Sequence, residues 1–230
     1  MRRFAISDLH LSLAKPKAMD IFGDNWRGHW EKIARDWQSR VGPEDAVLIA
    51  GDISWAMNYE EFAPDLAAVK AMPGKKLFIK GNHDYWHGSL NKTRQLMGED
   101  CLFLQNDATL LGEVAVAGGR GWKQPGDAGF TEEDAKIYKR ELIRARLSLD
   151  CAKKLGGDIL FMTHYPPFQG NRQPTEYTAL MEEYGVRTVV YGHIHGQGPG
   201  RAPYSDFSMN GVEYLLTSCD YLDFQLRELE

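Results

Sequence analysis

Five times along this chain an apolar, β-branched run ends in a short polar cluster. Phe4-Ala5-Ile6 leads into Ser7-Asp8-Leu9-His10, and Ala46-Val47-Leu48-Ile49-Ala50 into Gly51-Asp52. Leu77-Phe78-Ile79 leads into Gly81-Asn82-His83-Asp84, Ile159-Leu160-Phe161-Met162 into Thr163-His164, and Thr188-Val189-Val190-Tyr191 into Gly192-His193-Ile194-His195. Continuous apolar runs closed by turn residues read as strands buried on both faces. Each cluster then falls beyond the C-terminal end of a strand, where open α/β sheets bind their ligands.

The donors in these clusters are carboxylate, amide oxygen and imidazole, and thiolate is absent. That mixture suits borderline divalent ions such as manganese, iron or zinc better than calcium or magnesium. Together the clusters hold enough donors for two ions. In Asp8-x-His10 and His193-x-His195 an extended strand end would point both side chains to one side, so each pair is expected to grip a single centre. Asp52 and Asn82 each follow a glycine-lined strand exit, where glycine lets the backbone turn sharply and approach closely.

In their order these blocks resemble the calcineurin-like metallophosphoesterases, whose pattern is D-x-H, G-D, G-N-H-[D/E], an isolated H, and G-H-x-H. The resemblance runs from Asp8 to His195. It implies that Asp8, His10, Asp52 and His195 bind one metal while Asp52, Asn82, His164 and His193 bind the other, with Asp52 as the bridge. The cofactors implied are two divalent transition-metal ions, manganese first, with iron, zinc, cobalt or nickel as alternatives. His83 would be the acid or electrostatic group facing the scissile phosphate rather than a ligand. Asp84 either orients the His83 imidazole or caps a turn. Two cations beside one phosphoryl group make a water between them nucleophilic near neutral pH and offset the charge on the phosphoryl oxygens, so hydrolysis needs no covalent intermediate.

Taken singly, each block has a plainer reading, since Gly-Asp and Gly-Asn are common in turns and a lone histidine often serves a hydrogen bond. Five of the seven histidines nevertheless fall inside the blocks, and turns have no reason to recur with ligand spacing after successive strands. His29, in a Trp-rich helical stretch, and His87, in a polar loop, are expected to pack or to face solvent.

Between the strands, residues 59–71 carry Phe62, Leu66 and Val69 at helical spacing and stop at Pro73-Gly74. A longer helix opens at Thr131-x-x-Asp134 like a capping box, repeats Tyr138, Leu142, Ala145 and Leu149 on one face, and closes at Gly156-Gly157. Short strands are expected at 102–104, 109–111 and 114–116, and another at 212–216 after the Asn210-Gly211 turn. This order, like the resemblance, implies an α/β four-layer αββα sandwich of two mixed β-sheets flanked by helices, with residues 1–230 as one domain.

A net charge of −5 and dispersed Lys and Arg disfavour polymeric nucleic acid as a partner. Three widely spaced cysteines without a C-x-x-C pair suit a reducing compartment, the cytoplasm being the simplest. No apolar run approaches membrane-spanning length. The partner expected is therefore a small phosphorylated substrate, a monoester or a diester. A protein phosphatase is a variant reading, and a scaffold that keeps the fold without chemistry is the alternative class.

Two segments bear on that substrate. In Gly118-Gly119-Arg120-Gly121-Trp122-Lys123, Arg120 and Lys123 could hold a phosphate and Trp122 could stack on a planar group; a surface loop with incidental charge is the plain alternative. Residues 11–40 hold Trp26, Trp30 and Trp37, expected to pack a helix onto the core, with a pocket wall as the other possibility. Trp55 stands where the nuclease branch of the family often has a second catalytic histidine, which lowers the DNA-nuclease reading.

Overall fold

The computed structural model describes residues 1–99, 101–196 and 204–230. In chain order its strands are β1 (Arg3–Ile6), β2 (Ala46–Ile49), β3 (Lys75–Phe78), β4 (Cys101–Phe103), β5 (Ala108–Leu111), β6 (Val114–Gly119), β7 (Asp158–Thr163), β8 (Val186–Tyr191), β9 (Phe207–Met209), β10 (Val212–Leu216) and β11 (Arg227–Leu229). The helices are α1 (His29–Arg40), α2 (Tyr59–Lys70), α3 (Leu90–Met97), α4 (Glu132–Leu155) and α5 (Glu176–Tyr184). One sheet runs β11-β1-β2-β3-β4 and the other β5-β6-β7-β8-β10-β9. β1 to β4 are mutually parallel, as are β6, β7, β8 and β10, while β11, β5 and β9 add antiparallel edges.

The alternation of side chains along each strand builds the layers. Ala5, Leu48 and Leu77 from the first sheet meet Val116, Leu160, Met162, Val190 and Leu215 from the second in a core between the sheets. Their neighbours Phe4, Ile6, Val47, Ile49 and Phe78 turn outward onto Ile33 and Trp37 of α1 and Phe62, Leu66 and Val69 of α2. Phe161, Val189, Tyr191 and Tyr214 do the same on the far side, against Tyr138, Ala145 and Leu149 of α4 and Tyr177, Leu180 and Met181 of α5. Four layers, αββα, result.

The helix ends follow their chemistry. Thr131 and Asp134 form the expected reciprocal capping box, and Gly156 ends α4 with positive φ. Asn210 (φ 51°) and Gly211 (φ 83°) make the tight turn between β9 and β10, the positive φ values that an Asn-Gly hairpin demands. No helix among the described residues is long and apolar enough to cross a membrane.

Candidate metal centre

β1 ends at Ile6 and β8 at Tyr191, so the ligand pairs do not continue extended strands. Asp8 (φ 60°), His10 (φ 47°), Asp52 (φ 52°) and His193 (φ 72°) all adopt left-handed backbone. This corrects the period-of-two expectation: the side chains converge because the backbone coils, not because it stays extended. Such conformations cost about 1–3 kcal/mol each in non-glycine residues and persist only where neighbours enforce them. Here the enforcement is a set of cross-loop bonds, Asp8 N–H to Gly51 O (2.9 Å) and His10 N–H to Asp52 O (3.0 Å). The glycines are required by contact: a Cβ on Gly51 would stand 2.8 Å from the Gly81 backbone and from His164 Nδ1, and one on Gly81 or Gly192 would strike Asp52 or Asp8.

Two groups of donors result, Asp8 with His10 and His195, and Asp8 with Asp52 and His164, each with ligand atoms within 4.8 Å of one another. His10 Nε2 lies 3.3 Å from His195 Nε2, and His195 Nε2 is 3.3 Å from Asp8 Oδ1. On the other side His164 Nε2 is 2.7 Å from Asn82 Oδ1. Asp52 Oδ2 stands between, 3.8 Å from His10 Nε2 and 3.4 Å from His164 Nε2. Donors about 2.0–2.2 Å from a shared ion stand about 3–3.5 Å apart, so this spacing suits metal ligation. His193 belongs to neither close group; its ring stands 5.2 Å from that of His164 and 4.2 Å from that of Tyr165, and its N–H donates to Asp8.

The ring orientations point the same way. His195 Nδ1 meets Asp220 Oδ1 at 2.9 Å, and His164 Nδ1 meets the Ala50 carbonyl at 3.0 Å. With Nδ1–H donated to those acceptors, each Nε2 turns a lone pair toward carboxylates. Lone pairs and carboxylates face one another favourably only with a proton or a metal ion shared between them. Burial alone would push Asp8 toward neutrality, but His195, His164 and His10 hold it well below the usual carboxylate range, and His164 does the same for Asp52. Against their own burial, His195 is raised to about 10 by Asp8 and Asp220, and His164 to about 9 chiefly by Asp52. Burial lowers His10 and His193 to about 4. Ser218 Oγ and the Ser7 hydroxyl also donate to Asp8 Oδ2.

Asp84 makes the bonds of a turn cap. Its fully buried carboxylate accepts from Asp52 N (3.0 Å), Ile53 N (2.9 Å), Gly81 N (2.8 Å) and Trp86 Nε1 (2.9 Å), with Ser54 N at 3.3 Å. It ties the Gly51 and Gly81 loops together and makes no bond to the His83 ring, whose Nδ1 is buried without a partner. Burial and the Asp52 charge push Asp84 up to about 6. His83 is placed by its own N–H, which donates to Asp52 Oδ1 at 2.8 Å.

Trp55 stacks on His10 (4.8 Å, 20°) and leans on His83 (4.4 Å), so it fixes the rings on both sides. In the Trp-rich segment Trp37 packs in the core, as expected, while Trp26 also stands edge-on to His195 at 5.6 Å. That segment is thus both core and wall. Asp220 and Ser218 carry no motif spacing, and sequence reasoning missed them as site residues; Trp55 was singled out only for the histidine it replaces.

The Gly118–Lys123 loop divides. Arg120 reaches Glu141 at 3.4 Å and covers one face of Trp122 at 4.4 Å. The Trp122 indole N–H donates to Asp134 Oδ1 at 2.9 Å, and its ring packs beside Tyr165 and the outer core. Trp122 therefore braces α4 while remaining half-buried, with Arg120 over one of its faces.

Among relatives, the Gene 66 protein of Mycobacterium phage L5 is 30% identical over 103 residues, covering 45% of this chain and 49% of that protein. The phage D29 Gene 66 protein is 40% identical over 83 residues, 35% of this chain and 39% of its own. The chain thus spans half or less of the length of these relatives. Among solved structures, the phosphopantetheinyl hydrolase of Mycobacterium tuberculosis superposes with a TM-score of 0.62 at 15% identity, covering 99% of this chain and 95% of that one, a likeness of fold. The calcineurin-like phosphoesterase pattern matches residues 1–197; the chain belongs to the calcineurin-like phosphoesterase family.

Proposed function

We propose that the chain is a metal-dependent phosphohydrolase that cleaves a phosphomonoester or phosphodiester of a small molecule at a two-metal centre. The observation that carries this reading is the position of Asp52 between two sets of donors, 3.8 Å from His10 Nε2 and 3.4 Å from His164 Nε2. Asp8, His10, Asp52 and His195 would hold one ion, and Asp52, Asn82, His164 and His193 the other, with manganese the first choice among iron, zinc, cobalt and nickel. When bound, the ions supply the positive charge that polarises the phosphoryl oxygens and the acidity that makes water a nucleophile at neutral pH.

The chain's own groups do the rest. Asp52 is held by the His83 N–H on one oxygen, which leaves the other for the metals. The His83 ring, set beside His10 and Trp55, would give a proton or a hydrogen bond to the leaving oxygen. Trp55 and Trp26 cover His10 and His195 and keep bulk water from that side. Three widely spaced cysteines with no C-x-x-C pair fit a reducing compartment such as the cytoplasm.

Elemental analysis after manganese loading tests the centre. Two ions per chain are expected, with Asp52→Ala losing both and His10→Ala weakening mainly one; retention of both ions in Asp52→Ala overturns the bridge. A turnover screen across phosphomonoesters, cyclic nucleotides and diesters with manganese tests the activity.

A further inference from the structure

A cavity of about 300 Å³ opens where β3 and β4 leave the first sheet and face β6 and α4 of the second, and no residue assigned above to the metals lines it. Lys80, Arg120, Arg140 and Arg144 line it against one carboxylate, Glu141. Glu141 is 2% exposed and is shared, at 3.4 Å from Arg120, 3.4 Å from Arg140 and 2.9 Å from Arg144. One carboxylate cannot neutralise three guanidinium groups. Among the described residues Lys80 forms no ion pair at all. A recess with this excess of positive charge, its arginines held in place by a buried carboxylate, suits an anion bearing more than one charge.

The cavity is built on the same loops as the metal centre. Lys80 stands two residues before Asn82, a backbone span of at most about 7 Å. The Arg120 carbonyl accepts the N–H groups of His164 (3.1 Å) and Tyr165 (3.0 Å), while its guanidinium enters the cavity. The His87 ring, stacked on Phe103 at 4.8 Å, gives the cavity an apolar side.

We propose that this cavity takes a second phosphate or a diphosphate group of the substrate, so that the preferred substrates carry an anionic group apart from the ester being cleaved. This rests on the hydrolase reading above. A free inorganic anion has the same chemistry, and two measurements on the full chain separate the sources. Kinetics with manganese compare a sugar bisphosphate with the corresponding monophosphate, and calorimetric titration follows inorganic pyrophosphate before and after chelation of metals.

The bisphosphate is expected to be favoured by about tenfold in kcat/KM, through KM, with Arg144→Gln and Arg140→Gln each removing most of that preference and Arg144→Lys keeping it. Pyrophosphate is expected to bind in both metal states, about tenfold more weakly in Arg144→Gln and more weakly in high salt. Arg140, whose side chain is 54% exposed, serves if the Arg144 variant does not fold. Equal kcat/KM for the two substrates in the unaltered chain overturns the substrate assignment, even if pyrophosphate binds. No pyrophosphate binding after chelation, or binding that neither glutamine variant weakens, overturns the site itself. A chain without turnover whose pyrophosphate binding still falls in the variants supports the cavity and overturns the hydrolase reading alone.

Discussion

A histidine ligand is only as good as the orientation of its ring, and in this site the second ring nitrogen sets that orientation. Asp220 does so for His195 at 2.9 Å. Asp220→Ala should therefore weaken metal affinity by about 10–100-fold while leaving the number of sites at saturation unchanged, which a manganese titration measures. His83 has the opposite profile. His83→Ala should lower kcat by about 10²–10⁴-fold with metal content near normal, and the loss should be smaller for a nitrophenyl leaving group than for an alkyl phosphate. An equal loss on both substrates would favour a phosphoryl-binding role. The side chains that carry these donors were legible in the sequence, because each is a distinctive residue type in a fixed block. Asp220 was not, because a carboxylate that meets its histidine 25 positions away has no local spacing to betray it.

Among the elements, the loops after β1, β2, β3 and β8 matter more than the strands that carry them. Their apolar runs showed where the strands end, but not that the backbone then turns left-handed at Asp8, His10, Asp52 and His193, since φ is decided by contacts between loops distant in sequence. Asp84 is the clamp on two of these loops. Asp84→Asn replaces an acceptor with an N–H group that faces backbone N–H donors, and should destabilise the chain by about 2–4 kcal/mol in urea unfolding. Metal binding should weaken with it, because Asp52 and Gly81 lose their common anchor. α2 and α4 were legible from periodicity and caps, whereas β11 was not, its three residues being too few for a period.

The whole molecule was foreseen as two sheets between helices because buried parallel strands must be covered on both faces. Which sheet each short strand would join was not, since strand order depends on long-range pairing. Stability at this scale should depend on pH through His87, which burial first and Lys80 second lower to about 4. Its unfolded-state value is 6.5, so as pH falls from 6.5 toward 4 the unfolded chain takes up the proton and the folded chain does not. The contribution is present above 6.5 and lost below 4. His87→Phe, which preserves the stack on Phe103, should keep about 1–2 kcal/mol more stability at pH 4.5 relative to pH 7.5 than the unaltered chain, measured by urea unfolding at both pH values. The bonds from Ser218 to Asp8 and from Asp220 to His195 have one more consequence. Asp8 is made some 210 residues before Ser218, which bonds it, so during translation these bonds cannot form until that later segment has left the ribosome. Metal capture thereby becomes a late step of synthesis, and a nascent chain stalled before residue 218 would carry nearly all the donors without the geometry to use them.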